Sequence, residues 1–194
     1  MYRLIIIFSL LFLTGCTAAV ATTAVVATNM ATDRRTTGIY VEDEGIELKA
    51  AKAFSDDEQL SEQADVSAVS FNRIVLIYGQ APNQALKNKA STLVRKIDNV
   101  KKLHNEIRIS APTSFFSNSG DALLTSEVKI KLLAEEDLDS GHIKVVTENG
   151  EVFLMGMVTE KEAKKAIDVV RNIDGVERVV NVFEYIPESA VNND

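Results

Sequence analysis

The apolar residues of Val145–Val158 (VVTENGEVFLMGMV) form two short runs separated by Asn149-Gly150. β-Branched and other apolar residues on either side of an Asn-Gly pair are typical of two antiparallel strands joined by a type I′ turn. Both central residues of that turn need a positive φ, which Asn and Gly tolerate. The stretch therefore predicts a tight β-hairpin.

The same pattern of apolar and polar positions occurs earlier in the chain, at Val69–Ala81 (VSFNRIVLIYGQA). At a constant offset of 77 residues, Asn72 corresponds to Asn149 and Gly79 to Gly156. We interpret the two single glycines, each at the end of a strand, as points of close backbone approach. A period of this length is too long for a solenoid repeat, so the pattern predicts a tandem pair of small domains.

Each repeat shows the same order of elements: a helix, two hairpin strands, a second helix and a third strand. Helical spacing of apolar residues predicts the first helices, and Thr159 with Glu162 has the spacing of a capping box. A strand–helix–strand crossover makes the last two strands of each repeat parallel. In the first repeat we expect Leu103, Ile107 and Ile109 to point inward. The expected elements are a helix Asp43–Phe54, strands Val66–Ser70 and Ile74–Tyr78, a helix after Pro82 and a strand Val100–Ile109, and, in the second repeat, a helix Asp121–Ala134, the hairpin, a helix after Thr159 and a strand Val176–Ile186.

The start of the chain has the features of a signal peptide, expected over residues 1–15. The apolar run Leu4–Leu13 would rise only about 15 Å as a helix, roughly half of a bilayer's hydrocarbon core. The run ends in Leu13-Thr14-Gly15-Cys16, which resembles a bacterial lipobox and implies lipidation of Cys16. The alternative is a plain secretory signal with an incidental cysteine. Because Cys16 is the only cysteine, no disulfide can form within the chain.

The αββαβ order, the single glycine ending the second strand and the I-D-x-V sequence before the third strand resemble BON domains, the bacterial OsmY and nodulation fold. The most specific part is TENGEVFLMGMVTE at Thr147–Glu160. The resemblance implies an α+β fold class, with two tandem αββαβ BON domains that are each a three-stranded mixed sheet packed against two helices. We expect a tether over residues 16–37, domains over 38–109 and 120–186, a linker over 110–119 and a polar tail over 187–194.

Two BON domains behind a lipobox resemble the dual BON-domain outer-membrane lipoproteins. The resemblance implies a non-enzymatic protein, anchored by lipid on the periplasmic face of the outer membrane, in its inner leaflet. It further implies binding of anionic phospholipids such as phosphatidylglycerol, maintenance of outer-membrane integrity, and association with outer-membrane assembly or division-site proteins. A rival function is a protein-interaction adaptor with no lipid recognition of its own, using an exposed apolar stripe or a free sheet edge.

The remaining side chains offer little chemistry. His104 and His142 share no position in the repeats and lack a second ligand at metal spacing, so we interpret them as surface residues. The acidic run Glu135–Asp139 lacks the spacing of a calcium loop. No catalytic or phosphate-binding motif is present, and we expect no cofactor, no metal and no enzymatic activity. A net charge of −7 without a basic stripe argues against nucleic-acid binding.

Charge and hydropathy distinguish the two repeats. Gly38–Ile109 carries 10 basic and 11 acidic residues (net −1), whereas Asp121–Ile186 carries 8 and 14 (net −6), so the second repeat needs a local patch to meet anionic lipid. At about 100° per residue, Leu123 and Ile130 lie roughly 110° from the stripe Leu124–Val128–Leu132. A second apolar stripe is therefore expected, either on the membrane or packed against the first domain or the linker. The candidate membrane-binding residues are Leu123, Leu124, Glu127, Ile130 and Lys131.

The predicted linker contains two adjacent aromatic residues, Phe115 and Phe116, among Ser, Thr and Asn. Such a pair is poorly suited to full solvation. We expect both rings to pack into a groove between the domains and to set their relative orientation.

Overall fold

The computed structural model describes residues 33–110 and 115–191, with side chains from residue 120 onward in the second range. Cys16, the expected signal peptide, most of the tether and the end of the tail therefore lie outside the described residues. The described chain contains two copies of the αββαβ order. The first copy comprises α1 (Thr37–Asp56), α2 (Glu58–Gln63), β1 (Asp65–Phe71), β2 (Ile74–Ala81), α3 (Gln84–Val94), β3 (Lys102–Asn105) and β4 (Arg108–Ile109), and the second comprises α4 (Phe115–Leu133), β5 (Ile143–Glu148), β6 (Glu151–Val158), α5 (Glu160–Val170) and β7 (Arg178–Tyr185).

The helices begin where capping side chains satisfy their first N–H groups. The Thr36 side chain accepts a hydrogen bond from the Ile39 N–H at the start of α1. At the start of α5, Thr159 and Glu162 form the predicted capping box. Ile46, Ala50 and Phe54 form the buried face of α1, as their helical spacing predicts.

Both predicted hairpins are present, and both have positive φ at the two central residues of the turn. These angles are 51° and 66° at Asn72 and Arg73, and 49° and 73° at Asn149 and Gly150. β1 pairs antiparallel with β2, and β5 with β6. The Asn-Gly signal therefore identified the turn of the second copy correctly, and the first copy forms the same turn with Arg in place of Gly.

Close backbone approach explains the glycine near the end of each second hairpin strand, as expected. A Cβ on Gly79 would collide with the carbonyl oxygen of Asp65, and a Cβ on Gly156 with the carbonyl oxygen of His142. Gly79 also has a φ of +107°, which L-residues rarely adopt. The two glycines thus bring the start of each hairpin close to its end.

The crossover strands are parallel to their neighbours, as predicted. β2 pairs with β3 and β4, and β6 pairs with β7 along its whole length. In the first copy the last strand is interrupted between Asn105 and Arg108, and Ile107 there is buried. The inward orientation of Ile109 was wrong: its side chain is 54% exposed, because it pairs with Ala81 at the very end of β2.

Three helical features differ from the expectation. Helix α1 begins at Thr37, six residues before the predicted start at Asp43. The six-residue helix α2 was missed because it buries only Leu60 and is too short to show a helical period. It is capped by Asp57, whose carboxylate accepts a hydrogen bond from the Leu60 N–H at 3.1 Å. Helix α4 begins at Phe115, inside the segment predicted as a linker. The side chains of Phe115 and Phe116 lie outside the described residues, so their packing stays a prediction.

Each copy has its own core, and a third core lies between the two sheets. In β2, Val75 and Ile77 face α1 and α3, whereas Leu76 faces the second sheet. In β6, Val152 and Leu154 face α4 and α5, whereas Phe153 and Met155 face the first sheet. Both faces of each central strand are therefore covered, which explains their continuous apolar runs.

The packing produces four layers: the helices of the first copy, its sheet, the sheet of the second copy and the helices of that copy. The outer faces of α1 and α4 consequently lie on opposite sides of the molecule. The described residues from Arg34 onward belong to one compact unit. The two copies are thus separate folds that share an apolar interface.

Polar side chains link the two copies around that interface. The buried Glu151 of the second copy accepts hydrogen bonds from Arg108 at 2.7 Å and Arg178 at 2.6 Å. Arg178 also reaches Glu106 of the first copy at 3.0 Å. Elsewhere, Asn72 donates to Glu184 and Gln80 donates to Glu148. These directional contacts set one orientation of the two sheets, which the apolar contacts alone specify less well.

Candidate membrane-binding surface

Helix α4 attaches to its domain through one apolar face. Val128 and Leu132 are fully buried against the second core, and Leu124 packs partly against the same core. Asp121, in the second turn of the helix, accepts hydrogen bonds from the backbone N–H groups of Asn149 and Gly150 at 2.7 and 3.0 Å. The helix is therefore held against both the core and the hairpin turn.

The outward face of α4 carries large exposed aliphatic side chains. Leu123 is 74% exposed, Ile130 65% and Leu133 75%. The exposure of Leu123 and Ile130 agrees with the predicted second stripe and leaves it uncovered by the first domain. Leu133 was missed in the sequence, although its spacing of three residues from Ile130 places it on the same side of the helix.

The charged residues around this face are of both signs. Glu127 lies four residues after Leu123 and three before Ile130, so its carboxylate sits among the aliphatic side chains. Lys129 and Lys131 are both exposed and flank the face. Leu124, included among the candidate residues, is half-buried against the second core and is therefore only partly exposed. We call Leu123, Glu127, Ile130, Lys131 and Leu133 the α4 face.

The first copy has no equivalent face at the corresponding positions. Gly45 and Lys52 occupy the places of Leu123 and Ile130 in α1. Helix α1 does expose two aliphatic side chains, Val41 and Leu48, the latter at 72%. These two residues lie on the opposite side of the four-layer molecule, so a flat membrane that meets the α4 face does not reach them.

The two histidines are less exposed than a surface interpretation predicts. His104 in β3 is half-buried, and its burial lowers the pKa of the imidazole, with the positive charge of Lys102 acting in the same direction. The His142 side chain is only 13% exposed, with Nε2 at 3.3 Å from the Asp139 carboxylate. No group of His, Cys, Asp or Glu within residues 33–110 and 120–191 is arranged to hold a metal ion.

The acidic run after α4 is used within the protein. Leu138 inserts into the second core, and Asp139 caps a short 3₁₀ helix by accepting the Gly141 N–H at 2.9 Å. Lys165 of α5 approaches Glu135 and Asp137 at 3.4 and 3.7 Å. The run therefore packs one apolar residue and pairs its charges with α5.

The model of the BON domain family matches the chain twice, over residues 42–111 and 120–187. These two matches coincide with the two αββαβ copies of the structure. The chain belongs to the BON-domain family. Its fold class is the expected one, with two α+β domains that each contain a mixed sheet of parallel and antiparallel strands.

Among curated proteins, the chain is 40% identical over 182 residues to the outer membrane lipoprotein DolP of Haemophilus influenzae, covering 94% of each chain. It is 38% identical over 154 residues to the 21 kDa hemolysin of Actinobacillus pleuropneumoniae, covering 79% of each. Among solved structures, the C-terminal domain of CdsD, a structural protein of the type III secretion system of Chlamydia trachomatis, matches 75% of this chain and 67% of that one. It does so at 19% identity and a TM-score of 0.30, too low to compare domain arrangements.

These matches make the chain a dual BON-domain protein of the DolP type, an outer-membrane lipoprotein of the BON family. Proteins of this type are lipoproteins for which no enzymatic role is implied by the family. In the part of the chain that the structure describes, no helix has the length and apolar character needed to cross a bilayer.

Proposed function

We propose that this BON-domain lipoprotein is anchored through Cys16 on the periplasmic face of the outer membrane and binds anionic phospholipid through the α4 face. In this role it maintains the integrity of the outer membrane. The observation that carries the proposal is the exposure of Leu123, Ile130 and Leu133 on one side of a helix whose other side is buried in the second core.

The energy available from these side chains is adequate for weak docking. Fully burying an exposed Leu or Ile contributes about 1.5–3 kcal/mol, so Leu123 and Ile130 together supply about 3–6 kcal/mol. A lipid chain on Cys16 would keep the domain near the bilayer, and binding by the α4 face would then be effectively intramolecular. Weak docking is sufficient under these conditions.

The charges around the α4 face only partly favour an anionic lipid. The second copy has a net charge of −6, which opposes approach to a negative surface. Lys131 within the α4 face and Lys129 beside it counter this locally, whereas Glu127 within the face works against it. We therefore expect Glu127→Gln to strengthen binding to phosphatidylglycerol vesicles, because it removes a charge that must otherwise be desolvated.

The decisive experiment is vesicle flotation of the mature chain with Cys16→Ser, which removes the lipid. The chain should float with phosphatidylglycerol vesicles, and Leu123→Asp and Ile130→Asp should each abolish this. Leu48→Asp is a matched control, because Leu48 is equally exposed on a helix of the opposite side and the charge change is the same. The circular dichroism spectrum checks that each variant is folded.

Two results would contradict lipid binding through the α4 face. One is unchanged flotation of Leu123→Asp, and the other is equal loss in Leu48→Asp. If the unsubstituted acyl-free chain does not float at all, the favoured function becomes that of a protein-interaction adaptor for outer-membrane assembly or division-site proteins. In cells, Leu123→Asp should then still restore detergent resistance to a strain that lacks the protein, whereas the lipid-binding proposal expects it to fail.

A further inference from the structure

β1 is an outer strand of the first sheet and has β2 on one edge only. Phe71 and Ile74 flank the two-residue turn, so they exchange backbone hydrogen bonds. Since backbone groups alternate in direction along a strand, the N–H and C=O groups of Ser70, Ala68 and Val66 point away from β2. These three residues therefore define the free edge of β1.

The free edge is closed at its Ser70 end by side chains. The Ser70 N–H donates to Glu47 of α1 at 2.8 Å, and its C=O accepts a hydrogen bond from Lys144 of the second copy at 3.3 Å. Lys144 and Glu47 also pair with each other at 2.7 Å. Charged side chains that block an edge in this way prevent another strand from adding there.

The other end of the edge is open. Within the described residues, no side chain hydrogen-bonds the outward N–H or C=O of Ala68 or Val66, and a groove of about 410 Å³ runs beside them. Phe54 and Leu60 line the groove from the helices, and Tyr78 lines it from the side of the second sheet. Apolar surface is thus available on both faces of a strand that would pair with β1.

In the second copy the corresponding strand positions are covered. Ile143 and Val145 occupy the positions of Val66 and Ala68 in β5, and both are buried, whereas Val66 and Ala68 are half-buried. The groove in the first copy therefore results from two smaller side chains at corresponding positions. The difference is local and can be reversed by substitution.

We propose that the open end of β1 binds an extended, basic peptide segment of a protein partner by β-strand addition. The peptide backbone pairs with Ala68 and Val66, and its alternate side chains enter the groove. Asp65 is the charged residue among those lining the groove, and Glu62 is exposed just before it, so a Lys or Arg in the peptide is favoured. This site lies in the first copy and is independent of the α4 face.

The test uses the ¹⁵N-labelled mature chain with Cys16→Ser. The probe is a pool of nine-residue peptides in which Lys or Arg alternates with Val, Leu or Thr. We expect saturable chemical-shift changes at Val66 and Ala68 and at least tenfold slower hydrogen exchange of these two amides. Absence of a saturable change, or changes confined to other regions, would overturn the proposal.

Two matched probes make the test specific. The same pool with every residue N-methylated cannot donate backbone hydrogen bonds from either edge and should bind at least tenfold more weakly. Equal binding of both pools would mean simple apolar adhesion and would also overturn the proposal. The double substitution Ala68→Val with Val66→Ile gives β1 the residues that β5 has at the corresponding positions. It should keep the fold, fill the groove and weaken peptide binding at least tenfold. The control Ala122→Val, on the exposed side of α4, should leave binding unchanged.

Other occupants of the edge give different results. If β1 pairs with a second copy of the chain, the Ala68 amide becomes protected with rising protein concentration and without peptide. If it pairs with the chain's own residues 17–32, the amide is protected from the start, and deletion of that segment releases it. Either result excludes a partner peptide as the occupant.

Discussion

Asp43 and Asp121 occupy corresponding positions in the two copies and make the same contact. The Asp43 carboxylate accepts hydrogen bonds from the N–H groups of Asn72 and Arg73 at 2.8 and 2.7 Å. Asp121 accepts the corresponding pair from the second hairpin turn. Each carboxylate therefore ties the first helix of its domain to the tip of the hairpin, where positive φ angles leave two N–H groups pointing outward.

The two contacts differ in burial, which leads to a first prediction. Asp43 is 1% exposed and also bonds the Ser70 hydroxyl at 2.6 Å and Arg35 at 2.7 Å, whereas Asp121 is half-buried. Asp43→Ala should lower the free energy of unfolding by about 3–5 kcal/mol, because it removes the carboxylate from a buried charge pair. Asp121→Ala should lower it by about 1–3 kcal/mol.

Urea denaturation of the mature chain with Cys16→Ser measures both changes. The comparison is internal, because each variant removes the same group from the same element of its domain. An equal loss in the two variants, or a larger one for Asp121→Ala, would contradict the assigned roles.

The turn of the first hairpin predicts a stabilising substitution. Arg73 has a φ of 66°, a conformation that costs an ordinary L-residue about 1–2 kcal/mol and costs glycine almost nothing. Its ion pair with Glu42, at 3.7 Å and partly exposed, offsets little of this. Arg73→Gly should therefore raise the free energy of unfolding by about 0.5–1 kcal/mol.

The second turn provides the reverse experiment. Gly150→Ala should destabilise the protein, because a Cβ there adopts a φ of +73° and lies 3.0 Å from the Glu177 side chain. Thermal denaturation of both variants measures the effect. If the two substitutions shift the melting temperature in the same direction, backbone strain is not what distinguishes the turns.

Glu148 gives a prediction about pH. Burial raises the pKa of this carboxyl, and neighbouring acidic groups add to the effect, against the hydrogen bond from Gln80 at 2.6 Å. A raised pKa means that the folded protein binds this proton more tightly than the unfolded chain does, so the ionised carboxylate costs stability above its folded pKa. The cost disappears below the ordinary value of 4.5, where the group is protonated in both states.

Glu148→Gln should therefore be more stable than the parent near neutral pH and equally stable at about pH 3.5. The neutral amide keeps an oxygen that can accept the hydrogen bonds from Gln80 and Asn149. Denaturation curves across this pH range measure the difference. A variant that is less stable than the parent at neutral pH would show that the carboxylate is favoured by its surroundings.

The interface between the sheets predicts a loss of cooperativity. Phe153 is fully buried in the third core, so Phe153→Ala should cost about 3–5 kcal/mol and uncouple the unfolding of the two domains. Its neighbour Val152 is equally buried but faces the helices of its own domain. Val152→Ala should destabilise the second domain and leave the coupling intact. Calorimetry distinguishes the two, and a single transition in Phe153→Ala would argue against coupling through this core.

Local sequence determined most of the elements. The positive φ angles at Asn149 and Gly150, the capping box of Thr159 and the helical stripe of α1 all depend on contacts within a few residues of the chain, and all were predicted. The exceptions were short or terminal pieces, such as α2 and Ile109, where too few residues exist to show a period.

Part of the candidate surface was also visible in sequence. The separation of Leu123 and Ile130 from the buried stripe of α4 follows from helical geometry alone. Whether these side chains would be covered was left open, because covering depends on where the first domain lies. In the structure they are exposed, since the first domain packs on the far side of the second sheet.

The sequence by itself thus determined two similar αββαβ units and the additional apolar stripe on the first helix of the second unit. Only the tertiary structure decided that the two sheets pack face to face, that the exposed faces of α1 and α4 are on opposite sides, and that one end of β1 is open. The reason is physical: hydrogen bonding and periodicity act over a few residues, whereas the burial of Leu76 and Phe153 in one core joins residues far apart in the chain. An apolar residue in a strand indicates that it is buried, but not which partner buries it.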